Sequence, residues 1–294
     1  MTKTNNKTKK KSRSLWAEVG RRLVKNKGAM VGLAIVVVML FVALSADIIF
    51  DYDEDITRQD IMNQYKLPGQ DGHIFGTDDL GRDIFKRILY GAKYSLLIGI
   101  GATLGTTVLS MIIGSIAGYF GGKADVLIMR GCDIIGAIPA LLLGMVIVGA
   151  LGPSLFNLCI ALTIGGLAGA TRMVRAAVMT VATSEYVESA RSIGMREWKI
   201  IAKYLIPNCM ATIIVSTTMR VGTNIISASS LSFLGLGVQA PAPEWGAMLS
   251  AGRSVLRYYP HLTLFPGLAI LVTVLALNMF GDGLRDAMDP KLRK

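Results

Sequence analysis

The chain has 294 residues, of which 52% are hydrophobic and 17% charged, and a formal net charge of +11. A mean hydropathy of +0.50 is too high, and the apolar residues too unevenly distributed, for an ordinary soluble domain. The basic residues follow membrane topology along the chain, which sets nucleic acid aside as a partner and leaves a polytopic membrane protein.

The segment up to about Ser14 is rich in Lys, Thr and Asn without apolar periodicity, and is expected to be a disordered tail that can touch anionic headgroups. Leu15, Trp16, Val19, Leu23 and Val24 then recur at helical spacing with basic residues between them, as in a helix lying on the membrane surface. A span needs about 20 mostly apolar residues, because each backbone amide in hydrocarbon must be satisfied within its own segment. Six stretches qualify, near 29–50, 94–119, 126–150, 154–171, 209–235 and 262–281. Ala43 and Ser45 have the small-residue spacing of a cleavage site, but the preceding basic region is long and the first span is expected to remain.

Ten Lys or Arg residues lie between residues 3 and 27, placing the N-terminus in the cytoplasm. Six spans return the C-terminus, with Arg285, Lys291, Arg293 and Lys294, to the same side. The segment between spans four and five is also inside, with Arg172, Arg175, Arg191, Arg196, Lys199 and Lys203. Residues 51–93, with nine acidic and six basic side chains, form an outward loop. The expected division is a basic tail and surface helix over 1–28, a first span over 29–50, that loop, and a five-helix core over 94–294 containing a cytoplasmic segment at about 172–208.

Glycines four apart, Gly101 with Gly105 and Gly114 with Gly118, suit close helix packing in a bilayer. The runs GYFGGKAD and GIGATLG, beginning at Gly118 and Gly99, lack the spacing of phosphate and dinucleotide loops. Cys132, Cys159 and Cys209 lack metal-ligand spacing and are expected to pack as small apolar groups. His73 and His261 stand singly in outward loops; His73 has Asp78, Asp79 and Asp83 nearby, but ordinary loop hydrogen bonding is the expectation, and no metal is assigned. Arg220, inside the fifth span, is expected to snorkel or to pair with a neighbouring subunit, a pathway-lining role being the alternative. Acidic residues of the spans, Asp47, Asp133 and Asp282, lie only near their ends, against a proton-coupled transporter, and no catalytic cluster is present.

The most informative segment is EYVESARSIGMREWKIIAKYLIPN, residues 185–208. Tyr186, Val187, Ala190 and Ile193 share one helical face, Ser184 can cap the helix, and Gly194 permits a bend. Trp198, Ile201, Ala202 and Leu205 repeat the pattern, and Pro207 suits the first turn of the next span. Two short amphipathic helices anchored by spans make either a projection that transmits force from a soluble partner or a hairpin on the headgroups.

Glu188, Ser189, Ala190, Gly194 and Pro207 resemble the EAA loop of bacterial ATP-binding-cassette importer permeases, whose pattern is Glu-Ala-Ala, three residues, Gly, and a later Leu-Pro. Ser189 replaces the middle Ala, Tyr204 stands where His is frequent, and Ile206 replaces Leu. HIFGTDDLGRDIFKRILYGAKYSL from His73, LSFLGLGVQAPAPEWGAMLSAGR from Leu231 and the terminal GDGLRDAMDPKLRK resemble the C-type subunit of the dipeptide and oligopeptide branch.

The resemblance implies an all-α permease of the type I importer kind with six transmembrane helices, in a bacterial inner or plasma membrane. It implies a homologous permease as heterodimer partner, two ATP-binding subunits that carry ATP and Mg, and an extracytoplasmic solute-binding protein. This chain would then hold no cofactor and no catalytic residue, and the five loop residues would couple it to the ATPases. Di- or oligopeptides are the implied cargo, with nickel, glutathione or another small solute as the alternative in the branch and an ion-coupled carrier as the more distant one. The Trp245–Gly246 region and residues 78–83 are expected on the outer face, as docking surface or as packing and turn elements.

Overall fold

The computed structural model describes residues 15–289. The predicted tail and the basic residues Lys291, Arg293 and Lys294 lie outside the described residues.

Helix α1 (Leu15–Lys25) ends at Asn26, whose Oδ1 accepts the Ala29 N–H at 3.1 Å and starts α2 (Lys27–Ile49). A capping side chain satisfies one of the amides that a helix start leaves without a partner. Along α2 the exposed residues Val31, Val37, Val38, Phe41, Leu44 and Ile48 are apolar, as contact with hydrocarbon requires. Its other side meets α11 (His261–Met288), where a Cβ on Gly32 would stand 2.6 Å from the Ala276 carbonyl and one on Gly283 would stand 2.1 Å from the Ala29 Cβ. The two backbones approach this closely only because both positions lack a side chain.

Helix α3 (Ile84–Phe120) begins ten residues before the predicted second span, with the Asp83 carboxylate accepting the Lys86 N–H at 2.9 Å. Its early charges are paired: Lys86 donates to Asp55 at 2.6 Å, Lys93 to Asp47 at 2.5 Å, and the buried Arg87 to the Ile56 carbonyl at 2.7 Å. The charges that read as loop are therefore tolerated in a helix. The most extensive helix pair joins α3 to α6 (Leu155–Ala182). A Cβ on Gly114 would come 2.8 Å from the Thr171 carbonyl, and one on Gly118 would come 2.7 Å from that of Arg175.

The third predicted span is two helices, α4 (Gly122–Gly136) and α5 (Ala140–Leu151), bent by 84°. Pro139 lacks an N–H and pushes Ile138 out of helical geometry, so the helix stops before it. Helix α6 runs past the predicted limit at 171, because Arg172 and Arg175 are tied to Asp133 at 2.8 Å and Asp125 at 2.5 Å on α4. Both arginines thus belong to a packed helix and not to the connecting segment. Among the described residues five helices are long and apolar enough to cross a bilayer, and the bent pair makes a sixth when taken as one.

Residues 51–83 fold over the start of α3. Tyr65 stacks on Tyr259 at 4.5 Å and Phe75 on Phe265 at 3.9 Å, while His73 Nδ1 lies 2.7 Å from Asp83. Beside them α10 (Trp245–Gly252) is capped by Glu244, a fully buried carboxylate that accepts the Gly246 and Ala247 N–H groups at 2.9 Å each. The Trp245 indole N–H donates to the Ile88 carbonyl at 2.9 Å, and its ring is wholly buried. Trp245 and Gly246 are therefore packing elements and offer no surface. His261 is likewise a buried first residue of α11 rather than a loop histidine.

Candidate coupling site

At the opposite end of α3, roughly 55 Å along its axis at 1.5 Å per residue, a short helix α7 (Glu185–Ser192) caps the ends of three long helices. Its underside is apolar: Val187 and Ala190 are buried against Tyr119 of α3, Val174 and Val178 of α6, and Ile200, Leu205, Cys209 and Ile213 beyond the bend. Burying a side chain such as Val187 is worth about 1.5–3 kcal/mol, enough to hold a helix too short to persist alone.

Gly194 ends α7 with φ at +74°. The Gly194 N–H donates to the Arg191 carbonyl at 3.0 Å and the Met195 N–H to the Ala190 carbonyl at 3.2 Å, the paired bonds of a left-handed helix stop. A Cβ at Gly194 would meet nothing within 4 Å, so the glycine is required by the backbone angle alone. Ser184 precedes the helix without its side chain capping it; its hydroxyl donates back to Val181 at 2.5 Å.

The second predicted amphipathic helix is not separate from the next span. Helix α8 (Glu197–Ile200) continues through a widened π-helical stretch, Ile201–Leu205, into α9 (Ile206–Phe233). Pro207 lies in the first turn of α9, and the wide turn before it absorbs the missing N–H and the bulk of the ring. The consequence is a continuous rod over residues 197–233, so displacement of the loop moves a membrane helix directly.

A polar latch that the sequence did not signal locks the two halves. The Tyr119 hydroxyl donates to the Glu197 carboxylate, and the Arg191 guanidinium lies over the Tyr119 ring at 5.1 Å. These residues are 78 positions apart at the widest pair, so no local periodicity connects them.

Of the five candidate residues, Ala190 belongs to the buried underside, while Glu188, Ser189, Gly194 and Pro207 are exposed. Ser189 donates to the Glu185 carbonyl at 2.8 Å, leaving the Glu188 carboxylate pointing outward with no ion pair among the described residues. The predicted apolar faces are split: Tyr186 is 43% exposed, Ile193 76% and Trp198 61%. These three, with Glu188 and Ser189, form an amphipathic outer surface on a rigidly rooted element. Exposed aromatic side chains such as Tyr186 and Trp198 are the kind enriched at protein interfaces.

Residues 110–294 match the protein family described as binding-protein-dependent transport system inner membrane component, and residues 14–68 match the N-terminal transmembrane domain of oligopeptide transport permease C. The oligopeptide transport system permease protein of Bacillus subtilis is 43% identical over 98% of this chain and 93% of its own length. The glutathione transport system permease protein of Pectobacterium atrosepticum is 41% identical over 97% of this chain and 94% of its own. A chain of the MetNI methionine ABC transporter superposes with a TM-score of 0.58 at 17% identity, covering 69% of this chain and 96% of that one, a likeness of fold. With the bundle, the rooted loop and these relatives together, the chain belongs to the binding-protein-dependent inner membrane component family and is a permease subunit of an ABC importer.

Proposed function

We propose that the chain forms one half of the translocation pathway of an ATP-driven importer of di- or oligopeptides and couples to its ATPases through α7. One observation carries the reading: Val187 and Ala190 root α7 in the bundle while Glu188, Tyr186, Ile193 and Trp198 face outward, and the chain continues from there as an unbroken rod into α9. An ATPase that grips this surface and closes on its nucleotide displaces the rod, and the pathway opens alternately to each side. ATP and Mg are bound by the two partner subunits, this chain having no ATPase site or cofactor of its own. A second permease completes the pathway, and a solute-binding protein delivers cargo from outside. The coupling end, both termini included, is cytoplasmic, in keeping with the basic residues there, and the 51–83 loop faces out. The glutathione relative supports glutathione as the second cargo reading, since it matches nearly as well as the oligopeptide one.

The test is copurification of the tagged subunit from membranes that also contain the ATPases and second permease encoded with it, for wild type, Glu188→Ala and Gly194→Pro. The variants should lose the ATPases or lose cargo-stimulated ATP hydrolysis while α9 stays folded. A wild type that recruits no ATPase and transports on an ion gradient alone refutes the coupling role.

A further inference from the structure

The exposed faces of α2, α3 and α11 are apolar, carried by residues such as Phe41, Leu44, Leu104, Ile112, Leu268 and Leu271. Helix α9 differs. Thr212, Ser216, Thr223, Ser227 and Ser230 recur at intervals of four, seven, four and three residues, which places them on one face, and all are exposed or half-buried. Thr223 donates to the Met219 carbonyl at 3.1 Å, Ser230 to that of Ile226 at 2.9 Å and Ser216 to that of Ile213 at 3.0 Å, so these three hydroxyls are satisfied by their own helix, with Ser216 beside the Met173 sulfur of α6. From Thr212 to Ser230 the face runs about 27 Å, close to the ~30 Å thickness of the hydrocarbon core. Ile226, 47% exposed, interrupts it, but a face this rich in hydroxyls over that length suits a wet path better than lipid.

Midway along it stands Arg220, the lone charge of α9. About 20 Å of helix separates it from either end, more than its side chain can span, so it cannot snorkel to the headgroups. It lies at the border between the hydroxyl face and α6, where its Nη1 is 3.5 Å from the Gly166 carbonyl. Gly166 makes the room: a Cβ there would stand 3.4 Å from the same nitrogen. No ion pair reaches Arg220 among the described residues, and one carbonyl leaves most of its five N–H donors unused. A cation at mid-membrane depth needs an anion or a wet cavity, and a guanidinium matches a carboxylate with two parallel bonds.

We infer that Arg220 is the anion-binding residue of the translocation pathway, taking the carboxylate of cargo in transit along the hydroxyl face of α9. The inference rests on the importer reading above and adds a specificity to it: cargo with a free carboxylate is favoured over the same cargo amidated. On this inference Arg220 takes the pathway-lining role, the alternative in the sequence to snorkelling or pairing with a neighbouring subunit.

The test uses the complete transporter in proteoliposomes, with Cys132, Cys159 and Cys209 replaced and Thr223→Cys introduced one turn from Arg220. Labelling rates are compared for a sulfonate and a trimethylammonium methanethiosulfonate of similar size, with Arg220 intact and as Arg220→Gln. The sulfonate should react faster, and Arg220→Gln should lower the sulfonate-to-ammonium rate ratio about tenfold, the effect expected of one nearby charge at intermediate dielectric. Arg220→Lys should keep most of the ratio. In parallel, uptake of a peptide acid and its amide is measured, and Arg220→Gln should reduce acid uptake selectively. Three results overturn the inference: no labelling by either reagent, a rate ratio unmoved by Arg220→Gln, or loss of the second permease from the Arg220→Gln complex, which would assign Arg220 to a carboxylate of that partner. A charge-selective Thr223→Cys with no peptide uptake in wild type would retain the anion site and refute only the peptide cargo.

Discussion

The two ends of the bundle are built on opposite plans. Around residues 51–83 and α10, charged groups are inside: Glu244 is fully buried, and Arg87 reaches the Ile56 and Pro241 carbonyls at 2.7 and 3.3 Å from a buried site beside Asp78. At α7 the apolar groups are inside, and Glu188, Trp198 and Ile193 are turned out. The first arrangement is satisfied within one chain at its charged groups, because Glu244 and Arg87 already have their partners. The second is a helix whose roots are complete and whose outer face is not. A buried ion network resists rearrangement, since breaking one contact strands a charge, whereas an apolar root lets α7 move as a unit with α9. Under the proposed coupling role, the rigid end is a fixed cap and the other end is the place where an ATPase applies force.

If the cap depends on its buried charge, the largest effect belongs to Glu244→Ala. Two amides at the start of α10 lose their acceptor in a buried place, which costs about 2–4 kcal/mol. The expected result is a fall of several degrees in the apparent melting temperature of the purified subunit with the α7 surface unaltered; a melting curve matching wild type would show that the cap is not held this way. Val187→Ala comes next and probes the other end. Loss of two methyl groups from the α7 root should cost about 1–2 kcal/mol, accompanied by faster hydrogen exchange at residues 185–195. Glu188→Ala should stay within about 0.5 kcal/mol of wild type yet lose ATPase coupling. Equal destabilisation by the two would erase the contrast between root and surface.

Much of this plan is legible in the sequence, and the gaps have physical causes. Twenty-residue apolar runs mark the spans because bilayer thickness imposes the length. The start of α3 was lost because Lys86, Arg87 and Lys93 resemble loop residues until Asp55, the Ile56 carbonyl and Asp47 are in place beside them. The break at Pro139 was available from the residue type, but the surrounding apolar run masked it. In the coupling segment, periodicity puts Val187 and Ala190 on one face, and residue type marks the bend at Gly194, where φ is positive. The same periodicity groups Tyr186, Ile193 and Trp198 with the same apolar faces and does not say which side is buried, because apolarity alone cannot distinguish a root from an interface. The Tyr119, Arg191 and Glu197 latch left no trace, being formed between distant segments.

Gly194→Ala should have a smaller effect than the root variant. A left-handed φ costs an ordinary residue about 1 kcal/mol, and no clash adds to it. Gly194→Asn should recover about half of that, since Asn adopts the conformation more readily. Coupling measured as cargo-stimulated ATP hydrolysis should follow the same order, Gly, Asn, Ala, if the bend angle sets how α7 presents Glu188. The reverse order would mean that a bulkier stop is tolerated and the angle is immaterial.

A pH dependence at the cap is a further small effect. The Lys86 ammonium donating to Asp55 at 2.6 Å holds that carboxyl below its usual range. A depressed folded-state value stabilises the fold at pH above the unfolded value, and the contribution disappears as pH falls through the folded one. With the Asp55 side chain 31% exposed, solvent limits the contribution to less than about 1 kcal/mol. Asp55→Asn should therefore melt slightly below wild type at neutral pH, and the two curves should converge as acid protonates Asp55. Val187→Ala, which removes only apolar atoms from the α7 root, should keep a constant gap to wild type over the same range. A gap at Asp55 that persisted in acid would show that the side chain contributes shape rather than charge, and the contrast between an ionic cap and an apolar root would lose its ionic half.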